Sequence, residues 1–348
     1  MKTHDFWYDL PPELIAQTPL VRRDSSRMLV IAKETGSLLS EGEGPFSHRH
    51  FFDIADYLRP GDTLVLNNSR VLPARLIGQR AGGGAAELLL LRELEPDVWE
   101  ALARPGRRMR PGDIVSFGEG QLQAEILNTL DEGLKKVRFH YTGIFLEVLA
   151  QLGEMPLPPY ITERLEDPER YQTVYSKEHG SAAAPTAGLH FTPELLEKLR
   201  TQGVNLCEVT LHVGLGTFRP VSAENVEEHV MHSEVFHIPE DSRDIIEATH
   251  TKGGRVIAVG TTACRTLESA ADEQGRLTRL SGSTQLFITP GCSFRVIDGM
   301  VTNFHLPEST LMMLISALAG RERVLEAYAE AVRERYRFFS FGDACLIL

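Results

Sequence analysis

The chain has 348 residues, 42% of them hydrophobic and 24% charged, which fits an ordinary globular protein with two domains as the first expectation. A net charge of −12 excludes a protein that holds nucleic acid through its overall field, so any such contact must come from local patches. Cys207, Cys264, Cys292 and Cys345 form no C-x-x-C pair, against zinc ribbons and clustered iron–sulfur ligation; the start lacks the apolar core of a signal peptide, and the longest apolar run, 311–319, is far short of the ~20 residues of a membrane helix, so no membrane association and a cytoplasmic protein are expected.

In chain order, residues 9–16 read as a short N-capped helix with prolines near its start. Residues 19–27 hold Arg22, Arg23, Asp24 and Arg27, and Met28-Leu29-Val30-Ile31 is a strand. Residues 48–58 read as a short helix. Pro60-Gly61-Asp62 and Pro111-Gly112-Asp113 are matching turns, each feeding an apolar run, 63–66 and 114–117. Further β-like segments lie near 71–77, 86–91, 99–103, 122–126 and 136–140. Short strands at a spacing of roughly 8–12 residues predict a small antiparallel barrel. Residues 62–150 thus read as an all-β domain inserted into an α/β domain of 1–61 and 151–348, with a mixed sheet and flanking helices. Gly82-Gly83-Gly84 is a hairpin tip without the Lys and Ser/Thr of a phosphate loop.

Residues 157–175 lead back to the larger domain. From 181 to 221 the pattern is loop, helix, strand, loop. Thr192 caps the helix, Pro193 starts it and Gly203 ends it. In the strand, Cys207, Val209, Leu211 and Val213 share one face; Glu208, Thr210 and His212 share the other. The flanking loops carry Thr186, Gly188 and His190 on one side and Gly214, Gly216, Thr217, Phe218 and Arg219 on the other. Function and mere turn geometry both explain these glycines. Next come a helix capped by Ser222 and carrying His229 and His232, a strand at 235–238, a helix at about 241–251 and a strand at 255–259. That strand runs into Gly260-Thr261-Thr262 and a helix holding Arg265, a place for an anionic or ribose-bearing ligand or simply a structural βα turn. A strand at 286–288, a third polar loop at 302–310, helices at 311–319 and 321–335, and a hydrophobic terminal strand from 338 complete the chain.

The candidate chemistry has competing explanations at each point. His229 and His232 have i, i+3 spacing but no third ligand, so no metal is expected. His232 beside Glu234 is a base held by a carboxylate, or a satisfied histidine. His305, between Asn303 and a helix start, is a neutral proton acceptor, or a helix-entry hydrogen bond. Arg104, Arg107, Arg108 and Arg110 crowd one turn and suit phosphates, as do Arg333, Arg335 and Arg337, or both sets are solvated faces. Asn67, Asn68, Arg70 and Arg75 read a base edge or ribose, or form a turn.

The blocks DLPPELIAQTPL, LNNSRVLPARL, AAPTAGLHFT, TLHVGLGTFRPV, MHSE, VGTTACRTLES, TNFHLPESTLMMLISALAG and YRFFSFGDACLIL, in this order and essentially end to end, resemble the S-adenosylmethionine:tRNA ribosyltransferase-isomerase family of queuosine biosynthesis. Two departures, Cys292 in PGCSF and Cys345, replace no candidate polar group. The resemblance implies a tRNA substrate with 7-aminomethyl-7-deazaguanine at the wobble position. The ribosyl part of S-adenosylmethionine is transferred to the aminomethyl group and isomerised, giving epoxyqueuosine-tRNA, adenine and methionine. S-adenosylmethionine is a consumed co-substrate and no resident cofactor is implied; neither a G-x-G-x-G turn after the first strand nor a C-x-x-x-C-x-x-C cluster is found. A monomer without an obligate protein partner is implied as well.

This chemistry assigns expectations to residues. The base is sought among His305 and His212 first, then His232 and His190. The sulfonium is faced by Phe304, Phe218 or Glu234, and the methionine carboxylate by Arg265 beside Thr261 and Thr262. Thr186, Gly188, Gly214, Gly216, Thr217, Arg219 and Asn303 complete the S-adenosylmethionine site. Arg104, Arg107, Arg108 and Arg110 grip RNA, with Asn67, Asn68, Arg70 and Arg75 nearer the modified base. The competing functions are a non-catalytic tRNA-binding factor and a base-exchanging tRNA transglycosylase.

Overall fold

The computed structural model describes residues 1–33, 44–214 and 223–348. In chain order the strands are β1 (Arg27–Ile31), β2 (Phe46–His50), β3 (Thr63–Asn67), β4 (Ser69–Val71), β5 (Arg75–Arg80), β6 (Ala85–Glu95), β7 (Val98–Arg104), β8 (Ile114–Phe117), β9 (Leu122–Thr129), β10 (Lys135–Tyr141), β11 (Gly153–Glu154), β12 (Glu178–Ser181), β13 (Asn205–Leu211), β14 (Glu234–His237), β15 (Val256–Val259), β16 (Ser281–Thr284), β17 (Gly299–Asn303) and β18 (Ala344–Ile347). The α-helices are α1 (Phe145–Leu152), α2 (Pro193–Thr201), α3 (Glu240–Thr251), α4 (Gly260–Ala270), α5 (Thr310–Ala319) and α6 (Arg321–Arg333). The chain divides into two compact units: Met1–Ser69 with Pro159–Glu178 and Pro185–Leu348, and Arg70–Pro158 with His179–Ala184.

The first unit is an α/β domain on a mixed nine-stranded sheet, ordered β16-β14-β13-β3-β15-β17-β18-β1-β2. β13, β3, β15 and β17 are parallel to their neighbours within that set. β3, β15 and β17 are buried throughout, as strands covered on both faces must be. β18 runs antiparallel to β17 and parallel to β1. The register is even: Val209 faces Asn67, Leu66 faces Val259, Val259 faces Val301, Asn303 faces Ala344, and Ala344 faces Met28. One sheet edge therefore carries the carboxyl ends of β13, β3, β15 and β17 together with the amino ends of β18 and β1. Met28, Phe51, Leu66, Phe191, Ile257 and Leu346 belong to the core beneath. Thr192 caps α2 through the Leu195 N–H at 3.1 Å, and Ser309 caps α5 through that of Met312 at 3.2 Å.

The second unit is an antiparallel barrel, β5-β6-β7-β10-β9-β8, closed where Gln79 and Arg80 of β5 pair with Ser116 and Val115 of β8. Alternate residues such as Leu76, Leu88, Val115, Leu122, Ala124 and Val137 fill it. Closure depends on Gly78, where a Cβ would stand 2.4 Å from the Phe117 ring and from the Ser116 carbonyl oxygen. The two Pro-Gly-Asp turns match in detail. Gly61 and Gly112 have φ of 90° and 89°, and each aspartate accepts the N–H three residues back, Asp62 from Arg59 at 2.9 Å and Asp113 from Arg110 at 2.7 Å.

Several elements differ from the sequence expectation. The run at 63–67 joins the large sheet as β3, so the second unit starts at Arg70, not 62. Residues 48–58 are the end of edge strand β2 followed by a 3₁₀ turn, Phe51–Asp56. His229 and His232 lie on no helix; a single turn, Val226–Glu228, precedes extended chain, and the His229 ring packs edge-on against Phe287 at 5.3 Å. Ser222 lies outside the described residues. The strand expected at 286–288 is instead β16, whose pairing with β14 outweighs the weak β propensity of Ser-Gly-Ser-Thr. The last strand begins only at Ala344. Among the described residues no helix is long and apolar enough to cross a membrane.

Asp62 joins the starts of β3 and β15. It is 2% exposed and accepts the Arg255 N–H at 2.9 Å and the Arg255 guanidinium. Burial pushes its pKa up, but the Arg255 side chain and the two backbone N–H groups hold it below the usual value. Such a carboxylate stabilises the fold above the unfolded value of about 3.9, and the contribution is lost as pH falls below it. Asp62→Ala should cost about 3 kcal/mol at pH 7 in urea unfolding, with a smaller penalty below pH 4. An equal penalty at both pH values would contradict this role.

Candidate active site

β17 delivers Asn303 to the common edge with 3% of its surface exposed. Its side-chain oxygen accepts the Thr186 hydroxyl at 3.1 Å. Its NH₂ donates to the Phe339 carbonyl at 3.2 Å and to His190 Nε2 at 3.0 Å. The Phe339 carbonyl can only accept, which fixes the amide orientation. His190 Nε2 is then an acceptor, so the ring proton sits on Nδ1 and is donated to Ser26 Oγ at 2.8 Å. Phe51 stacks on the ring at 5.0 Å. Burial, then the cations of Arg23 and Arg337, push the His190 pKa down to about 3. His190 is therefore a neutral, oriented imidazole and not a base poised near pH 7.

Thr186, Gly188 and His190 share one 3₁₀ turn. A Cβ on Gly188 would stand 2.0 Å from the Tyr175 hydroxyl, so no larger residue fits. The turn packs on the start of α4: a Cβ on Gly260 would lie 3.5 Å from that of Ala187, and Gly260 takes φ +88° as β15 turns into the helix. Thr261 and Thr262 form the first turn of α4. One turn on, Arg265 forms an ion pair with Glu234 in which the side chains are 6% and 5% exposed, and its Nε donates to the Leu286 carbonyl at 3.1 Å. Glu234 also accepts the Gly214 N–H at 3.2 Å. Arg265, expected to face the methionine carboxylate, and Glu234, expected to face the sulfonium, thus face each other. Each buried charge is already matched by the other, as burial requires. The pair instead holds the exit of β13. There His212, half-buried, donates its N–H to the Val235 carbonyl at 3.1 Å. Burial lowers its pKa, with Glu178 acting against the shift. Its Nδ1 is buried without a hydrogen-bond partner among the described residues, as are Thr262 Oγ1 and Arg265 Nη2.

Other expected residues do not reach this arrangement. Phe304 is fully buried, with ring centroids 4.8 Å from Phe338, 5.2 Å from Tyr328 and 5.4 Å from Tyr336; it is core and offers no face to a sulfonium. His305 is buried beside it. Its Nε2 hydrogen-bonds Thr302 Oγ1 at 2.8 Å, its N–H donates to the Tyr328 hydroxyl, and its carbonyl accepts from Tyr8. Burial alone takes its pKa down to about 3, and the helix dipole is not the cause, because α5 starts only at Thr310. His305 is thus a neutral imidazole committed to the core, unlike a base poised near pH 7. His232 lies exposed ahead of β14. Gly216, Thr217, Phe218 and Arg219 lie outside the described residues.

The expected RNA contacts divide in two. Asn67 is fully buried and copies a peptide group: it exchanges hydrogen bonds with both backbone groups of Leu211 at 3.0 Å. Asn68 donates to Glu208 at 3.0 Å and accepts from Thr210 at 2.8 Å. Both amides, expected near the modified base, are thus hydrogen-bonded within the fold. Arg75 is paired with Glu87 at 3.2 Å and Glu154 at 3.4 Å, so its charge is compensated. Arg70 is half-buried at the start of the second unit. Arg104, Arg107, Arg108 and Arg110 are exposed and form no ion pair among the described residues. No group of His, Cys, Asp or Glu there is placed to hold a metal ion. Ser26, which orients His190, carries no signal of its own in the sequence, being one of two serines in an arginine-rich stretch.

The chain matches the family described as "Queuosine biosynthesis protein" over residues 3–347. It is 58% identical over 348 residues to a protein of Acetivibrio thermocellus, covering 100% of both chains. It is 57% identical over 348 residues to a protein of Clostridioides difficile, again covering 100% of both. Both relatives are named S-adenosylmethionine:tRNA ribosyltransferase-isomerase. A crystal structure of S-adenosylmethionine tRNA ribosyltransferase from Thermotoga maritima is 39% identical, with a TM-score of 0.56 over 99% of this chain and 100% of that one.

The two buried imidazoles make a direct prediction. With folded pKa values of about 3, the His190 and His305 rings should not titrate between pH 5 and 8 in ¹⁵N-resolved NMR spectra, and His190 should show the Nδ1–H tautomer. Since their folded values lie below the unfolded value of about 6.5, each stabilises the neutral-pH fold. That contribution is lost as pH falls, by up to about 1.4 kcal/mol per pH unit for each ring. Titration of either ring near pH 6.5 would contradict the assignment.

Proposed function

The chain belongs to the queuosine biosynthesis protein family, and from that premise we propose how its residues divide the work of the reaction. It transfers and isomerises the ribosyl moiety of S-adenosylmethionine onto the aminomethyl group of 7-aminomethyl-7-deazaguanine in tRNA, giving epoxyqueuosine-tRNA with adenine and methionine released. The observation that carries the site reading is the meeting of the 186–190 turn, Gly214, the α4 start and Asn303 at the carboxyl edge of parallel strands. In open α/β sheets that edge is where ligands bind.

The sulfonium acidifies the ribose C5′ protons, and a base must remove one of them. Effective general bases have pKa values near the working pH. His212 meets this demand better than His190 or His305, both of which burial holds neutral far below it. His212 stands at the exit of β13 with one ring nitrogen uncommitted. The backbone N–H groups at Gly260, Thr261 and Thr262, at the positive end of α4, suit ribose oxygens or a negatively charged group. Thr186, Asn303 and His190 hold the facing turn and so position the nucleoside. The exposed arginines Arg104, Arg107, Arg108 and Arg110 supply the RNA grip, each as a fork suited to phosphate. S-adenosylmethionine is consumed, so the reading needs no resident cofactor. The same reading makes the protein a cytoplasmic monomer.

Adenine release from S-adenosylmethionine should depend on tRNA bearing the aminomethyl base. His212→Asn should cut that release at least ~100-fold with tRNA affinity unchanged; wild-type turnover in the variant would remove His212 from the role. Replacing Arg107, Arg108 and Arg110 with alanine should weaken tRNA binding. It should also flatten the salt dependence by about 0.7–0.9 in log–log slope per lost phosphate contact. An unchanged slope would place the RNA elsewhere.

A further inference from the structure

Glu234 neutralises the charge of Arg265, so the carboxylate of the methionine moiety meets no uncompensated side-chain cation at α4. A second place on the same edge fits it. An open, shallow concavity includes Arg23, Ser26, Arg170, His190, Ser340 and Gly342 in its lining. It lies where β1 and β18 begin. Among the described residues, Arg23 and Arg170 donate hydrogen bonds to neutral carbonyls. Arg23 donates to Gln172 at 2.9 Å, Leu189 at 3.3 Å and Glu169 at 2.9 Å, and Arg170 donates to Val21 at 3.0 Å and to Leu20.

Arg170 Nε is buried with no partner among the described residues. Burial and then the like charge of Arg170 hold the Arg23 pKa below its usual value, while Asp167 and Glu169 offset part of the charge. Two cations held side by side by carbonyl groups, with one N–H unpaired, form a site that an oxyanion would complete. The walls beside them, Leu20, Leu189 and Phe341, are apolar and suit the methylene groups of the amino-acid chain.

The concavity is joined to the proposed nucleoside site through His190. That ring lines it and is bonded through Asn303 to the Thr186 turn that packs on Gly260. Only β17 separates β15, which feeds α4, from β18; two strand spacings are about 10 Å. We propose that this concavity receives the α-carboxylate of the methionine moiety of S-adenosylmethionine, with Arg23 and Arg170 as its cationic partners. The proposal rests on S-adenosylmethionine being bound at this edge, and the released methionine leaves from the same place.

The test uses the full chain without tRNA. L-methionine should raise the thermal midpoint, and L-methioninol, which lacks the carboxylate, should not. In turnover, Arg170→Gln should raise KM for S-adenosylmethionine about 10-fold or more, with kcat and the salt slope of tRNA binding unchanged. Arg170→Lys should lose less. Equal effects of methionine and methioninol would overturn the proposal, as would an unchanged KM in a folded Arg170→Gln chain. Stabilisation by inorganic phosphate but not by methionine, with a flatter tRNA salt slope in the variant, would assign the concavity to an RNA phosphate and overturn it too. If Arg170→Gln does not fold, the methionine–methioninol comparison on the unaltered chain decides. Failure of the broader reading looks different: the unaltered chain would then release no adenine with tRNA present.

Discussion

A single buried amide ties the functional edge together. Asn303 ends β17 and bonds at once to Thr186, to His190 and to the Phe339 carbonyl. Its two N–H donors and its oxygen are all used, which an aspartate or a leucine of similar shape could not reproduce. Through it, three stretches far apart in sequence take up one arrangement, and the His190 proton is placed on Nδ1 and directed at Ser26. The Gly188 and Gly260 contacts then set how closely the turn approaches the helix that follows β15.

Charge is distributed unevenly along this edge. At the β13–β15 end, Glu234 and Arg265 cancel each other away from water. A buried pair of this kind adds little net stability, yet removing one partner is costly because the other is left alone. Its role is positional: it carries the Gly214 N–H and hence the strand exit bearing His212. At the β18–β1 end, Arg23 and Arg170 bond carbonyls and keep charge to offer. One end is thus internally neutral, while the other carries two arginines whose charge Asp167 and Glu169 offset only in part.

Much of the architecture was legible in local pattern. The Pro-Gly-Asp turns were readable because glycine at positive φ and an aspartate facing back to an N–H are local devices. The Thr192 cap and the βα turn at Gly260 are local as well. What could not be read depended on partners distant in sequence. Thr63–Asn67 looks like any barrel strand until β13 and β15 take it into the large sheet. Ser281–Thr284 has no strand signal of its own. Asn67 and Asn68 resembled surface readers, but β13 consumes both amides. The Glu234–Arg265 pair joins residues 31 positions apart, so two side chains suited to substrate cancel each other instead. His305 sits in a motif that looks catalytic, yet the ring faces the core.

The claim on which the rest depends is that the substrate nucleoside sits at the shared edge of β13, β3, β15 and β17. Backbone hydrogen exchange with and without S-adenosylmethionine reads this directly. Slower exchange at residues 186–190, 260–265 and 303, with the Gly61, Gly203 and Gly253 turns at the opposite edge unaffected, is the predicted result. Protection confined to those opposite turns, or to the barrel, would contradict it.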